Sequence, residues 1–405
     1  MSGGGQQAQP RYPGFADLRR VGFLVQQDEA PAGHWSWLPL GAEFCRILLD
    51  VTARRLAADG YEQVDLPSVV TLDSPRLAGS LQKFGDRIYR VDADPPAGLA
   101  WNSDHLSFSL LRQLALEPPV RMFTELDFYR RERSGEVGLR RGRSFSTLDV
   151  HAVLDGLDAG LAEFGQLLQL CHGLLADLLT GGWWLDVSAD ASQRPALQPS
   201  IDLFVKGSDV PARVEWFEEP TNYYALQVKV MAGAGGKAFQ LSNLQLDLVN
   251  GPRYELGEGT AIVHAAPVAR PERFATAMLL AMAGRPERPA WPMTVSPVQV
   301  RLLPVRPDAV DRAVSVAQTW RAAGLRIDVD AAATPVPKRL RWARRQLIPY
   351  IGLVGAADDP DQLRVEGPDG GGQPLATVAT RALAASDFVV SSRLPVICRP
   401  LSQAG

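Results

Sequence analysis

The sequence contains few cysteines and no long apolar run, and each absence excludes a class of protein. Cys45, Cys171 and Cys398 are the three cysteines, and their wide spacing predicts neither a disulfide framework nor a thiolate zinc knuckle. No apolar stretch approaches the roughly 18 to 20 residues that span a membrane. The first ten residues, MSGGGQQAQP, also lack the charged-then-apolar order of a signal peptide. We therefore expect a cytoplasmic protein without membrane contact and with a disordered tail over residues 1–18.

The chain also lacks a strong charge of either sign. Its 42 lysines and arginines nearly balance 45 aspartates and glutamates, for a formal net charge of -3. A protein with this balance has no global attraction to nucleic acid, so a polyanion must be bound by a local basic patch. The 405 residues, 46% of them apolar, suffice for two or three packed domains.

Two parts of the chain differ in the order of their predicted elements. Residues 19–284 mix helical patterns with short β-rich segments, which predicts an α+β domain in which helices flank an antiparallel sheet. The proline-rich stretch 285–296 predicts a linker. Residues 297–405 then alternate strand and helix patterns, which is typical of a small, largely parallel α/β domain.

Seven arginines are concentrated in residues 121–151, RMFTELDFYRRERSGEVGLRRGRSFSTLDVH, a segment that predicts two strands joined by a glycine-bearing loop. Six of them fall at the predicted strand ends, namely Arg130, Arg131, Arg133, Arg140, Arg141 and Arg143. Alternate side chains of antiparallel strands point to one face, where guanidinium groups hold phosphate oxygens bidentately. A nucleoside triphosphate is therefore a natural ligand, and a solvated arginine-rich hairpin is the alternative.

The same segment resembles motif 2 of the class II aminoacyl-tRNA synthetases, most closely the threonyl-tRNA synthetases. The resemblance is carried by YRRERSGEVGLRRGRSFSTLDVH, which is similar to R-x-E-x-S-G-x-x-x-G-L-x-R-x-R-x-F-T-Q-D-D-A-H. Two further segments follow in the family's order. GHWSWLPLGAEFCRILLDVTARRLAADGYEQVDLP resembles motif 1, and HAAPVARPERFATAMLL resembles motif 3. The C-terminal part is similar to the family's anticodon-binding domain.

The resemblance implies a role for each residue that matches a family motif. Arg130 and Arg273 would be catalytic, because chemistry at phosphorus depends on positioning and charge stabilisation, for which arginines and Mg²⁺ suffice. The implied ATP-binding residues are Arg130, Glu132, Arg141, Phe145, Gln240 and Arg273. The implied amino-acid-binding residues are Ser103, Asp149, Tyr224 and Gln245. Outside the motif context, Phe145 would be a core residue, Arg273 a surface arginine and Asp149 the partner of a nearby arginine.

The resemblance further implies Zn²⁺ that is held by one cysteine and two histidines and contacts threonine. His151 and His264 match the histidine positions, but Ser103, in WNSDH, stands at the cysteine position. Serine is a poor zinc ligand at neutral pH, whereas Asp104 and His105 follow directly and are good ligands. We therefore expect a zinc site of His151, His264, His105 and Asp104. Buried, hydrogen-bonded histidines without a metal are the alternative.

The sequence departs from the family at several other points. Thr147 and Leu148 replace a glutamine and an aspartate, and Gln227 stands where a lysine is expected. The loss of polar anchors changes substrate discrimination, which makes strict selection of threonine uncertain. The editing domains of many members do not occur in this sequence, so we expect no proofreading by this chain. KRLRWARR, residues 338–345, contains five basic residues, which would suffice for contacts with phosphates. The alternative is an ordinary solvated helix face.

The resemblance thus implies activation of threonine or a related amino acid with ATP, and transfer of the acyl group to an acceptor. Transfer RNA is the expected acceptor, and a homodimer through motif 1 is the expected assembly. One alternative is a tRNA-independent ligase of specialised metabolism that activates an amino acid. The other is a non-catalytic tRNA-binding protein, which the intact Arg130, Glu132, Phe145 and Arg273 disfavour.

Overall fold

The computed structural model describes residues 13–218, 223–234, 236–283, 285–359, 362–384 and 389–399. Within these ranges a large, mostly antiparallel sheet with flanking helices precedes a smaller mixed sheet, which is the predicted α+β architecture followed by an α/β unit. None of the described helices combines the length and apolar character needed to cross a membrane.

The first described elements correct the prediction of a disordered tail over residues 1–18. Helix α1 begins at Phe15, and its Leu18 is fully buried, because apolar side chains of this segment pack on the main core. Residues 1–12 lie outside the described part of the chain. The opening elements are α1 (Phe15–Arg20), β1 (Leu24–Val25), β2 (Ser36–Trp37) and the long α2 (Pro39–Ala58).

The next elements build the main sheet and the walls of its concave side. In chain order they are β3 (Glu62–Gln63), β4 (Val69–Thr71), α3 (Ala78–Phe84), β5 (Arg90–Val91), β6 (Ala97–Leu99), α4 (Asp104–Leu114), β7 (Val120–Tyr129), β8 (Ser144–Asp155), α5 (Gly156–Leu178), β9 (Trp183–Asp190), α6 (Arg194–Ser208), β10 (Ala212–Phe217), β11 (Tyr224–Ala234), β12 (Lys237–Asp247), α7 (Asn250–Arg253), β13 (Thr260–Ala266) and α8 (Pro271–Met282). Strands β4, β6 and β5 form a separate small sheet.

The main sheet has the strand order β10-β9-β11-β12-β13-β8-β7-β3 among the described residues. Its inner pairs are antiparallel, and its two outermost pairs, β10 with β9 and β3 with β7, are parallel. The register sets His264 of β13 directly opposite His151 of β8, and Gln245 of β12 opposite His264. Residues distant in sequence therefore meet in the middle of the sheet.

Helix α5 covers the face of the sheet opposite the concave side. Its buried residues recur at helical spacing, as in Leu161, Phe164, Leu168, Cys171 and Leu175, and they pack against β8, β12 and β13. This rigid layer holds the central strands and their side chains in place.

The arginine-rich segment differs from its prediction in one respect. Strand β7 ends at Tyr129 and β8 begins at Ser144, so the six arginines predicted at strand ends lie in the loop between the strands. Backbone hydrogen bonds from Arg130 N to Arg143 O and from Arg141 N to Gly138 O close this loop. The loop brings its guanidinium groups to the edge of the concave side.

The second unit contains β14 (Val300–Pro304), α9 (Val310–Ala322), β15 (Ile327–Val329), α10 (Val336–Arg345), β16 (Tyr350–Val354), β17 (Arg364–Glu366), β18 (Gly372–Pro374) and α11 (Leu375–Ala384). Its sheet has the order β15-β14-β16-β17-β18. Strand β14 pairs in parallel with β15 and β16, as the alternating pattern predicts, but β17 and β18 add antiparallel pairs that make the sheet mixed. Residues 285–296 connect the units, and Trp291 among them is buried, stacks on Phe23 and donates to Gln346 O.

Candidate active site

A cavity of about 490 Å³ lies on the concave side of the main sheet, between the strands and helices α3, α4 and α7. Eleven of the residues predicted from the motifs line it: Asp104, His105, Arg130, Glu132, Arg141, Phe145, Asp149, Gln240, Gln245, His264 and Arg273. The structure thus gathers candidate nucleotide, amino-acid and metal residues from five elements and one loop into one space.

Three predicted residues do not line this cavity. Ser103 and His151 are completely buried behind it, where Ser103 Oγ donates to Asp149 Oδ2 at 2.6 Å. Tyr224 lies outside the lining and its neighbour Tyr223 lies inside, donating its hydroxyl to Gln245 Oε1 at 2.8 Å. Strand alternation could not predict which of the two tyrosines faces the cavity, because Tyr223 precedes β11 and the register of β11 shifts between Tyr224 and Leu226.

The arginine end of the cavity surrounds the ring of Phe145. The Arg270 guanidinium lies 3.6 Å from the ring centroid and the Arg130 guanidinium 5.3 Å from it. Phe128 packs edge-on against the same ring at 5.8 Å. Arg130 is oriented by a hydrogen bond from its Nε to Trp101 O at 2.8 Å. The Phe145 side chain is half-buried and lines the cavity, so its ring is not enclosed in the core.

The other predicted ATP-binding residues are held by the loop between β7 and β8. Arg273 donates through Nε to Arg140 O at 3.0 Å and through Nη1 to Gln240 O at 2.9 Å. Glu132 is almost fully buried and accepts from Arg87 Nη2 at 2.6 Å, with Arg141 Nη1 at 3.6 Å. These contacts leave guanidinium groups clustered where an anion with several oxygens could be bound.

Several arginines are buried close together at this end of the cavity, and this lowers their pKa values. Burial lowers the pKa of Arg130, and the neighbouring Arg87 lowers it further. Burial also lowers the pKa of Arg270, with Arg273 as the next cause. A polyanion would relieve this mutual repulsion, which favours phosphate binding here.

Sequence reasoning missed four cations that line the cavity: Lys83, Arg87, Arg253 and Arg270. Lys83 and Arg87 belong to a segment for which the sequence predicts no regular element, and Lys83 Nζ lies 5.2 Å from the centre of the Tyr223 ring. Arg270 could have been identified from the sequence, because it lies within HAAPVARPERFATAMLL, three residues before Arg273. In the structure it occupies the N-cap position of α8.

The opposite end of the cavity holds a group of potential metal ligands. One ligand atom each of Asp104, His151 and His264 lies within 4.8 Å of the others. His151 Nε2 is 3.2 Å and His264 Nδ1 is 3.5 Å from Asp104 Oδ1. His105, the fourth predicted ligand, lies outside this group, with its ring packed on Trp101 at 4.8 Å. Burial lowers the pKa of His105 to about 4.

Carboxylates surround His264 on two sides. Its Nε2 bonds to Asp247 Oδ2 at 3.0 Å, and Asp247 also accepts from the backbone N–H groups of Val249 and Asn250. Burial lowers the pKa of His264, but its bonds to Asp104 and Asp247 outweigh burial and raise the pKa to about 10. A cation, either a proton or a metal, is thus strongly favoured between His264 Nδ1 and Asp104.

The end of the cavity that holds Asp104 and His264 is also lined by neutral polar side chains, some of them at positions where the sequence departs from the family. Gln227 Nε2 donates to Asn243 Oδ1 at 3.0 Å, and both side chains line the cavity. Thr147 directs its hydroxyl to Val268 O at 2.7 Å. This wall therefore offers neutral hydrogen-bonding groups where a charged lysine was expected.

Comparison with known proteins gives an independent result. Residues 299–380 match the family model of the anticodon binding domain. The threonine--tRNA ligase of Methanoculleus marisnigri is 29% identical over 364 residues, which cover 85% of this chain and 58% of that protein. The threonine--tRNA ligase of Thermococcus kodakarensis is 28% identical over 80% of this chain and 55% of that protein. The chain thus spans little more than half the length of these relatives.

Solved structures share the fold along nearly the whole chain. The RNA binding domain of threonyl-tRNA synthetase from Cryptosporidium parvum superposes with a TM-score of 0.76 at 17% identity, covering 93% of this chain and 98% of that one. A putative threonyl-tRNA synthetase from Aeropyrum pernix gives a TM-score of 0.74 at 17% identity, covering 94% and 98%. The chain therefore has the fold of the class II aminoacyl-tRNA synthetases and is threonyl-tRNA synthetase-like in sequence and structure.

Proposed function

We propose that the chain activates threonine or a related amino acid with ATP and transfers the acyl group to tRNA. The observation that carries this proposal is the convergence of Arg130, Arg141, Arg273 and Phe145 on one cavity that Asp104 and His264 also line. The match to an anticodon binding domain supports tRNA as the acceptor.

In the proposed reaction, a carboxylate oxygen of the amino acid attacks the α-phosphorus of ATP. The bond from that phosphorus to the bridging oxygen breaks, and pyrophosphate leaves. Arg130 would neutralise charge on the attacking carboxylate and the α-phosphate, while Arg141 and Arg273 would hold the outer phosphates together with Mg²⁺. Fixed guanidinium groups lower the barrier because charge develops on phosphate oxygens in the transition state. Phe145 would stack on the base, and Glu132 and Gln240 would contact the nucleotide. A hydroxyl of the acceptor would finally attack the carbonyl carbon of the aminoacyl-adenylate, so that an ester forms, the bond from the carbonyl carbon to the phosphate oxygen breaks and AMP leaves.

We also propose that the amino-acid end holds Zn²⁺ through Asp104, His151 and His264. The residues fit this ion: bonds of about 2.0 Å in a tetrahedral site place ligand atoms about 3.3 Å apart, close to the observed 3.2 and 3.5 Å. Asp247 would fix the ring of His264, as carboxylates commonly do for histidine ligands. When bound, Zn²⁺ supplies a Lewis-acid position for the substrate's amino group. Asp149, Tyr223 and Gln245 would orient that substrate beside it.

Amino-acid-dependent exchange of radioactive pyrophosphate into ATP tests the activation step. We expect exchange with threonine or a close relative, and its loss in Arg130→Ala with the fold intact by circular dichroism. Arg213→Ala, an exposed arginine on β10 far from the cavity lining, is the matched control and should retain full exchange. Equal activity of the two variants would show that Arg130 has no role in activation.

A second candidate is a tRNA-independent ligase that activates a different amino acid. The pairing of Gln227 with Asn243 favours it, because neutral amides replace the expected lysine and alter what the pocket can hold. A panel of amino acids, each tested for exchange and for tRNA charging, separates the two candidates. Exchange without charging of any tRNA would favour the second, and charging with threonine would favour the first.

A further inference from the structure

Arg270 lies on the ring that the nucleotide base is proposed to use. Its guanidinium carbon is 3.6 Å from the centre of Phe145, which is stacking distance. Its Nη1 donates to Gly142 O at 2.9 Å, so the group is fixed over the ring at two points. The side chain is only 4% exposed. A base and this guanidinium cannot occupy the same face of Phe145 at the same time.

A second acceptor for Arg270 lies beside it. Glu272 is two residues further along the chain, and its Oε1 is 3.8 Å from Arg270 Nη1, beyond hydrogen-bond distance. Glu272 is 1% exposed, and its Oε1 has no hydrogen-bond partner within the described ranges. A buried carboxylate oxygen without a partner is costly, so Glu272 gains by accepting the guanidinium if it leaves the ring.

We infer that Arg270 occupies the base site of its own enzyme and moves to Glu272 when the nucleotide binds, so that it opposes binding of the base. The inference rests on the proposed function, because it takes Phe145 as the platform for the base. The exchange breaks the contacts of Arg270 with Phe145 and Gly142 O and forms a hydrogen-bonded ion pair with Glu272. Arg273, by contrast, is held by hydrogen bonds to Arg140 O and Gln240 O.

Three ligands separate base binding from phosphate binding: AMP, ATP with Mg²⁺, and pyrophosphate with Mg²⁺, each titrated by calorimetry. Removing the guanidinium in Arg270→Ala should lower the Kd for AMP and ATP about thirtyfold, the size of one desolvated cation–π contact. The Kd for pyrophosphate should not fall, because pyrophosphate has no base to compete with the guanidinium for the ring. Glu272→Gln removes the acceptor's charge and should raise the Kd for AMP, a change of opposite sign.

Two controls keep the outcome interpretable. Arg213→Ala should leave all three affinities unchanged, and in a Phe145→Leu background Arg270→Ala should no longer tighten AMP binding, because the shared aromatic face is gone. Weaker AMP binding by Arg270→Ala would overturn the inference and make Arg270 a ligand-binding residue, and a fall in the Kd for pyrophosphate as large as that for AMP would show that the gain does not come from the base site. If the wild-type protein binds none of the three ligands, the proposed function itself fails, which is a distinct result.

Discussion

The two ring nitrogens of His264 face different carboxylates, and this arrangement decides which neighbours can hold a metal. Because Nε2 bonds to Asp247, Nδ1 is the ring nitrogen that faces Asp104 and can hold either a proton or a metal. The sequence indicated His151 and His264 by position but left Asp104 and His105 as equal candidates. Helix geometry separates them, since consecutive residues of α4 are rotated by about 100°, and His105 therefore packs on Trp101. Ser103 meanwhile bonds to Asp149, so the residue at the cysteine position has a different partner.

Metal analysis tests this assignment at the level of single side chains. We expect protein dialysed against Zn²⁺ to retain about one ion per chain, as a three-ligand site does. Asp104→Ala and His151→Ala should weaken zinc binding by at least about tenfold, because each removes a ligand. His105→Gln is the matched control and should bind zinc normally. Loss of zinc in His105→Gln with retention in Asp104→Ala would reverse the assignment.

Elements with strong periodicity were predictable, and elements with conflicting local signals were not. The apolar spacing of residues 41–59 and 158–182 predicts helices, and the alternating runs 223–233, 237–251 and 260–266 predict strands. These ranges lie close to the observed α2, α5 and β11 to β13. Helix α6 was missed because Pro199 lies inside it, and proline removes a helical hydrogen bond and usually marks a break. Strands β17 and β18 were missed because three residues each carry too little pattern.

Two helical glycines test how tightly the elements pack. Gly41 lies in the first turns of α2, where a β-carbon would overlap the backbone carbonyl of Phe23. Gly41→Ala should therefore destabilise the protein by about 2 kcal/mol, because a backbone group cannot move aside as a side chain can. Gly173→Ala in α5 meets only a side-chain atom at 3.8 Å and should stabilise by about 0.5–1 kcal/mol through helix propensity. Urea unfolding measures both, and equal signs for the two changes would contradict the packing argument.

The pairing of β14 with β15 buries an ion pair that periodicity alone could not reveal. Arg301 and Asp328 stand opposite each other on these parallel strands, both almost fully buried, with two bonds of 2.8 and 2.7 Å. Asp328→Ala leaves the guanidinium unpaired and should cost about 3–5 kcal/mol. The apolar double variant Arg301→Met with Asp328→Leu should recover most of that loss, as measured by chemical unfolding. A double variant no more stable than Asp328→Ala would show that Arg301 and Asp328 stabilise the fold through interactions other than the attraction between their two charges.

At the scale of the whole molecule, a C-terminal segment, residues 389–399, joins the two units. Val390 packs with Ile47 and Val51 of α2, while Arg46 Nη2 donates to Ser391 O at 2.7 Å. The same segment bridges to the second sheet through Ile397 opposite Val329. The sequence could not predict this connection, because it depends on contacts between residues more than three hundred positions apart. Fold class and domain order followed from local patterns, whereas the relative placement of the units required the structure.

Under the proposed function, charging of tRNA tests this connection, because it would require both units in a fixed arrangement whereas amino-acid activation would require only the cavity. Val390 is 1% exposed and its neighbour Val389 is 43% exposed. Val390→Asp places a charge among apolar side chains and should loosen the segment, with a fall in Tm of several degrees. Under the proposed function it should preserve pyrophosphate exchange while tRNA charging falls at least about tenfold, since tRNA must contact both units at once.

Val389→Asp is the matched control and should leave charging and Tm unchanged. Equal loss of exchange and charging in Val390→Asp would mean that the segment supports the cavity itself rather than the placement of the second unit.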